Sequence, residues 1–200
     1  MYNLAMSARP LPKGAILVPK SAKLVFRGEI FDTYQWDQEM YDGSTATFEM
    51  LKRPDTVEII AVKDGKVVIE EQEQPGKPKH LTLPAGRVEP GEDVLVAAQR
   101  EMLEETGMSF AKWELKFVYQ PAVKIDWLVH TFLATDFTEQ VDQNLDNGER
   151  IATNLVKFAE IIKLMRSNDM EASEYIMRQL ATGTISLEDV LRSPNFKEQE

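Results

Sequence analysis

Three glutamates crowd the last turns of a predicted helix in the stretch "VLVAAQREMLEETGM". At 100° per residue, Glu101, Glu104 and Glu105 fall within roughly a 100° arc around the small Ala97. The C-terminal end of a helix carries partial negative charge and disfavours carboxylates, which here would also repel one another. A solvated acidic face is the common explanation. The competing one is a site for a hard divalent cation such as magnesium, which prefers carboxylate oxygens.

The residues that flank this helix favour the cation site. Five residues separate Gly86 from Glu92, and seven more separate Glu92 from Arg100 and Glu101. The positions that follow are Met102, one free position, Glu104, Glu105, one free position, Gly107 and Met108. This spacing is similar to the Nudix box, G-x5-E-x7-R-E-U-x-E-E-x-G-U with U apolar, and every specified position matches. The chain therefore resembles the Nudix hydrolase family.

That resemblance implies a chemistry and a set of metal ligands. Nudix hydrolases cleave a nucleoside diphosphate linked to another moiety, using water and divalent cations. By resemblance, Glu101 and Glu105 are the principal ligands, Glu104 lies close to them, and the carbonyl of Ala85 adds an oxygen. The implied cofactor is Mg²⁺, with Mn²⁺ as the alternative. Metals of this kind bridge the diphosphate, neutralise developing charge and activate the attacking water.

Other residues enter the expected site through the same resemblance. Arg100 would steady the glutamates by a salt bridge, and Glu92 would pin either the loop or Arg100. The loop before the last strand supplies a further glutamate in this family, and alignment of "ERIATNLVKFAEII" places Glu149 there, with Asp146 nearby. An ordinary acidic loop is the simpler reading of these two residues.

The similarity extends to ADP-ribose pyrophosphatases, through the layout of "VFRGEIFDTYQWDQEMYDGSTATFEMLKRPDTVEIIAV" and through "LPAGRVEPGE". It implies hydrolysis of ADP-ribose or a related nucleoside diphosphate sugar to a nucleoside monophosphate and a sugar phosphate. Arg53, Pro121 and Asp126 are the candidate substrate contacts. A Ser-Pro-Gly loop and a Glu at position 82 are common in that branch, but here "YQPAVKIDW" and Thr82 stand instead. The alternative is a catalytically weak nucleotide-binding or sensor protein.

Bulk composition limits the other partners. The 200 residues carry a net charge of -10, which argues against a nucleic-acid backbone or an anionic membrane as the main partner. The chain has no cysteine, which excludes disulfides and thiolate metal sites. No signal-like or membrane-spanning apolar run is evident. We expect a cytoplasmic protein that acts on a small nucleoside diphosphate.

The element pattern predicts an α+β fold, in which mixed β-sheets are sandwiched by helices behind an N-terminal antiparallel sheet. Residues 1–52 would form that N-terminal sheet and part of a homodimer interface, and residues 53–200 the catalytic domain. Tyr34 and Trp36 could belong to the dimer core or stack on an adenine. The helix is predicted over 94–106, where Leu95, Val96, Met102 and Leu103 could pack on a sheet and Gly107 ends it. Strands are expected over 111–123 and 126–137, a polar loop over 138–150, and helices over 158–168 and 171–183.

Overall fold

The structure is a computed structural model that describes residues 9–157, 160–161, 163–164 and 196–197. Its helices and strands are, in chain order, β1 Leu11–Pro12, β2 Lys23–Arg27, β3 Asp32–Glu39, β4 Thr45–Lys52, β5 Thr56–Lys63, β6 Lys66–Gln74, β7 Lys77–Thr82, β8 Ala85–Arg87, α1 Val94–Thr106, β9 Met108–Tyr119, β10 Ile125–Asp126, β11 Val129–Gln140, β12 Arg150–Val156 and β13 Phe196–Lys197. Within the described residues, no helix is long and apolar enough to cross a membrane.

The larger sheet carries the elements that build the site. Its strands run in the order β12-β6-β5-β11-β9, while β7 pairs with β6 and β8 pairs with β5. The β5–β11 pair is parallel, and the other pairs in this sheet are antiparallel. Asp64 and Gly65 join β5 to β6 with positive φ angles of 52° and 70°, as a two-residue type I′ hairpin turn requires. The mixed sheet expected from the sequence is confirmed.

Both faces of this sheet are buried. Helix α1 covers one face, where Ala97 and Met102 pack with Val57, Ile59 and Val68. The opposite face buries a second set of apolar side chains, which comprises Ile60, Val67, Ile69, Leu83, Phe117, Leu133 and Ile161. Residues 160, 161, 163 and 164 are helical, so helical residues lie on each side of the sheet. The α+β arrangement is therefore as predicted.

Helix α1 has the predicted bounds because both of its ends are capped. The Asp93 side chain accepts a hydrogen bond from the Leu95 N–H at 2.8 Å. At the other end, Gly107 adopts φ 70° and donates its N–H to the Leu103 carbonyl. The prediction of which α1 residues pack on the sheet was wrong in part, because Val96 and Leu103 are 46% and 40% exposed. The small side chains of Ala97 and Ala98 face the sheet instead.

The N-terminal sheet is confirmed, with one addition. Strands β2, β3 and β4 pair antiparallel, and the chain turns at Asp42 and Gly43 between β3 and β4. Strand β10, which follows β9 in the chain, adds in parallel to β4. The Trp36 ring lies 5.2 Å from the Phe48 ring within this sheet. Strand β2 is at the free edge of the four-stranded order β10-β4-β3-β2.

Some predicted boundaries moved. Strand β11 continues to Gln140, so the polar loop begins after that residue, and β9 ends at Tyr119 rather than at residue 123. The helices predicted over 158–168 and 171–183 lie outside the described residues, apart from the four helical residues 160, 161, 163 and 164.

Candidate active site

A cleft of about 270 Å³ opens between the C-terminal half of α1, strand β8 and the loop 144–149. Seven of the residues predicted for the site line this cleft, namely Ala85, Arg100, Glu101, Glu104, Glu105, Asp146 and Glu149. They come from three separate parts of the chain. The structure thus brings together the residues expected to bind the cation and the two acidic residues of the loop before the last strand.

The first glycine of the box makes room for a glutamate. A Cβ atom added at Gly86 would lie 1.9 Å from the Cδ atom of Glu101 and about as close to its two oxygens. The Glu101 carboxylate therefore rests directly on the Gly86 backbone. A side chain at position 86 would push the carboxylate out of the cleft.

Arg100 holds the acidic side chains in place. It donates from Nε to Glu92 Oε1 and from an η nitrogen to Glu92 Oε2, both at 2.9 Å. Its other η nitrogen donates to Glu101 at 2.8 Å and to Glu104 at 3.1 Å. The hydrogen bond from Arg100 lowers the pKa of Glu92, whose Oε2 also accepts the Glu89 N–H at 2.9 Å. Glu92 therefore pins both the loop and Arg100.

Glu105 is buried although it is a carboxylate. Its side chain is 4% exposed, and its Oε2 accepts a hydrogen bond from the Ala85 N–H at 3.0 Å. Burial raises the pKa of Glu105 well above its usual range, and the charges of Glu70 and Glu101 act in the same direction. A buried carboxylate without a cationic partner is costly, so this position favours a bound cation.

Glu70 is a buried carboxyl near Glu105 that the sequence analysis did not single out. It lies on β6, it is 0% exposed, and burial raises its pKa to about 7. Gln72 Nε2 donates to its Oε2 at 2.7 Å, whereas its Oε1 has no hydrogen-bond partner among the described residues. The alternation of side chains along β6 could have indicated its position. Glu70 lies on the same strand face as Val68, which packs under α1.

The loop between β11 and β12 is fastened to the end of α1. The Asn144 N–H donates to the Glu104 carbonyl at 2.9 Å, and the Gln143 amide donates to the Glu105 carbonyl. These bonds satisfy helix carbonyls that would otherwise lack partners. Because the loop is held here, Glu149 reaches the cleft, where burial and the charge of Asp146 raise its pKa.

The donor set fits a hard divalent cation. Its oxygens belong to carboxylates, and burial raises the pKa of Glu101 as well as those of Glu105 and Glu70. In the present side-chain positions of the described residues, no three carboxylates or imidazoles converge on one point. Two of the carboxylates do not converge because Glu101 and Glu104 accept hydrogen bonds from Arg100 and point towards it.

Arg53 lines a second cavity of about 580 Å³, which shares Glu89 with the cleft. Its guanidinium carbon lies 4.5 Å from the centre of the Trp127 ring and 5.7 Å from that of Phe31. Its Nε is buried without a hydrogen-bond partner among the described residues. Burial and the charge of Arg87 lower the pKa of Arg53. Arg53 is therefore a candidate contact for an anionic ligand in this cavity.

The remaining two predicted substrate contacts lie outside the cleft. Pro121 is exposed in the connection between β9 and β10 and lines neither of these two cavities. Asp126 is 2% exposed, and its carboxylate accepts hydrogen bonds from Arg9 at 2.8 Å and from the Val18 N–H at 3.2 Å. These contacts hold the N-terminal segment against the sheets.

Comparison with known proteins places the chain in a family. Residues 52–180 match the family described as NUDIX domain. An ADP-ribose pyrophosphatase of Bacillus subtilis (strain 168) is 31% identical over 150 residues, which cover 73% of this chain and 81% of that protein. A methanol dehydrogenase activator of Bacillus methanolicus is 30% identical over 157 residues, with coverage of 76% and 78%.

The fold also resembles a solved structure described as an ADP compounds hydrolase. The TM-score is 0.64 at 18% identity, and the match covers 89% of this chain and 97% of that one. Together with the complete box and its folding into one cleft, the match over residues 52–180 identifies the family. The chain belongs to the Nudix hydrolase family and is related to ADP-ribose pyrophosphatases.

Proposed function

We propose that the protein is a divalent-cation-dependent pyrophosphatase that hydrolyses ADP-ribose or a related nucleoside diphosphate sugar. The observation that carries this proposal is the cleft in which three glutamates of one helix meet Glu149 of a separate loop. The relationship to an ADP-ribose pyrophosphatase supports the substrate class. The products would be a nucleoside monophosphate and a sugar phosphate, which for ADP-ribose are AMP and ribose 5-phosphate.

The residues that would hold the cation are Glu101 and Glu105, with Glu104 and the Ala85 carbonyl beside them. Mg²⁺ is the proposed ion, and Mn²⁺ is the alternative. When bound, such an ion neutralises charge on the diphosphate and lowers the pKa of a bound water. Arg100 restrains Glu101 and Glu104 through the hydrogen bonds described above, so it acts as a positioning residue.

Glu149 is the proposed base for the attacking water. It lines the cleft opposite the helix glutamates, and its raised pKa brings it closer to neutrality, where a general base is more effective. Asp146 is next to it in the same loop, and its carbonyl accepts the Glu149 N–H at 3.0 Å. Asp146 is therefore the second choice for this role.

Arg53 is the proposed contact for the phosphate end of the nucleotide. The cavity that it lines adjoins the cleft, so a diphosphate in the cleft could extend a nucleoside into this cavity. Pro121 and Asp126 were the other candidate substrate contacts, but neither residue lines the cleft or the adjoining cavity. Substrate specificity in our proposal therefore depends on Arg53 and its aromatic neighbours.

We also propose a homodimer, in which residues 1–52 supply part of the interface and residues 53–200 form the catalytic domain. Support comes from the edge strand β2, where Val25 and Phe26 are 51% and 63% exposed. Apolar side chains on an unpaired sheet edge favour association.

A substrate panel tests the proposed function. Product release would be measured with ADP-ribose, UDP- and GDP-sugars, dinucleoside polyphosphates and dNTPs, each with Mg²⁺ and with EDTA. We expect Mg²⁺-dependent cleavage of ADP-ribose or of another nucleoside diphosphate sugar. Binding of these nucleotides without turnover of any would contradict the proposal and favour the nucleotide-binding or sensor protein.

A further inference from the structure

We propose that Glu70 is a further carboxylate of the cation site and contributes its Oε1 atom beside Glu105. This inference depends on the proposed function, because it assigns a residue outside the Nudix box to the same divalent cation. Glu70 lies on a different element from the helix glutamates. The site would then draw its carboxylates from β6, α1 and the loop before β12.

The backbone fixes Glu70 in position. Strand β6 is paired on both sides at this point, where Glu70 lies opposite Thr82 of β7 and Thr153 of β12. Its side chain points to the face covered by α1, because side chains alternate along a strand and Val68 packs under that helix. A strand held on both sides cannot slide to move this carboxylate to solvent.

The contacts of the Glu70 side chain leave one oxygen available. Its Oε2 accepts the Gln72 amide at 2.7 Å, and Gln72 is itself only 7% exposed. The Glu70 carboxyl lies close enough to Glu105 for the charges of the two groups to interact. Its Oε1 is buried and has no hydrogen-bond partner among the described residues. Buried polar atoms in native proteins nearly always have a partner, so an unpaired carboxylate oxygen indicates a missing one.

The charges around Glu70 indicate what that partner is. The acidic neighbours that act on it are Glu101 and Glu149, in addition to Glu105. The two arginines that line the cleft have other partners, since Arg100 bonds to glutamates of the box and Arg87 bonds to Glu89. A hard divalent cation would supply the positive charge and take the free oxygen as a ligand. A buried carboxyl that does not face the cation would change the cation affinity no more than Glu71 does, so Glu71→Gln supplies the baseline.

Binding of Mn²⁺ alone separates these two cases. The free ion would be titrated by electron paramagnetic resonance with the parent, Glu70→Gln, Glu71→Gln and Glu105→Gln. Glutamine keeps the size of the side chain and an oxygen that can accept the Gln72 amide. We expect Glu70→Gln to weaken Mn²⁺ binding by about tenfold or more. Glu71→Gln removes the same charge from the opposite strand face, where Lys79 pairs with it at 2.5 Å, and should bind as the parent does.

The outcomes distinguish this inference from the proposed function. If Glu70→Gln binds Mn²⁺ as the parent does while Glu105→Gln binds it weakly, the role of Glu70 is overturned and the cation site at Glu105 still stands. Parent-like affinity in Glu105→Gln, or no binding by the parent, would overturn the cation site itself. Equal weakening by Glu71→Gln would show a general charge effect and also overturn the inference. Should Glu70→Gln fail to fold, Glu70→Asp shortens the side chain by one methylene and should still weaken binding.

Discussion

The Glu101 carboxylate lies against the backbone of Gly86, so closely that a Cβ at position 86 would come within 1.9 Å of Glu101 Cδ. The loop and the helix of the Nudix box are therefore in close contact here, because the Glu101 carboxylate occupies the space that a Cβ at position 86 would need. The atom that would be struck is the end of a flexible side chain, so the carboxylate would move before the backbone did.

We predict that Gly86→Ala loses activity without losing the fold. The displaced Glu101 would leave the cation with poorer ligands, which should reduce kcat/KM by about 10- to 100-fold. Gly148→Ala is the matched control, because a Cβ there would meet only Pro75, at 3.9 Å. Steady-state kinetics and thermal melting would be measured on both. Parent-like kinetics in Gly86→Ala would contradict this account of the glycine.

The proposed base can be identified by comparing two neighbouring acids. We predict that Glu149→Gln lowers kcat by about 10²- to 10⁴-fold, since a positioned general base contributes on that scale. Asp146→Asn should have a much smaller effect. Both variants would be assayed at saturating Mg²⁺ and substrate. A larger loss of kcat in Asp146→Asn than in Glu149→Gln would show that Asp146, and not Glu149, is the base.

Helix α1 and the clustering of the box glutamates in the cleft were predictable because their signals are local. Asp93 and Gly107 cap the helix, and the box fixes the spacing of its acids. Val96 and Leu103 were assigned to the wrong face, because helical periodicity alone does not show which residues are small enough to approach the sheet.

Residues placed by long-range contacts were harder to predict. Glu70 resembled any glutamate in an acidic strand until the sheet order placed it under α1. Asp126 was a candidate because it closely follows Pro121 in the stretch that stands in place of the Ser-Pro-Gly loop. In the structure that carboxylate is bound by Arg9, 117 residues away in sequence, a contact that no local pattern reveals.

Asp55 should make the stability of the fold depend on acidic pH. Burial opposes ionisation, but hydrogen bonds from His130 and Arg9 and the Arg9 charge lower the pKa of Asp55 to about 2. Its contribution is therefore complete above its unfolded pKa, near 3.8, and is lost as pH falls through 2. The pKa difference corresponds to about 2 kcal/mol of unfolding free energy.

Urea denaturation of the parent and Asp55→Asn between pH 5 and pH 2 measures this contribution. The parent should lose about 2 kcal/mol more than the variant over that interval. At pH 7 the variant should be less stable than the parent, because Arg9 would lose a charged partner. The same pH dependence in both proteins would contradict the assigned role of Asp55.

The proposed dimer makes a prediction for the edge strand β2. Replacing exposed Phe26 with Lys places a charge in the proposed interface and should convert a dimer into a monomer of 22.8 kDa. Light scattering after size-exclusion chromatography gives the mass directly. Val123→Lys is the control, because Val123 is an exposed apolar residue outside residues 1–52, and this variant should remain dimeric. A monomeric parent would contradict the dimer.

The most direct test of the central claim is hydrolysis of ADP-ribose by the parent and by Glu105→Gln as Mg²⁺ is varied. Release of AMP and ribose 5-phosphate would be quantified by chromatography, with melting temperatures measured in EDTA. We predict Mg²⁺-dependent turnover by the parent, at least about 100-fold less by the variant, and a melting temperature in EDTA at or above that of the parent. Turnover that persists in EDTA, or a variant as active as the parent, would contradict catalysis by a cation held at the glutamate cleft.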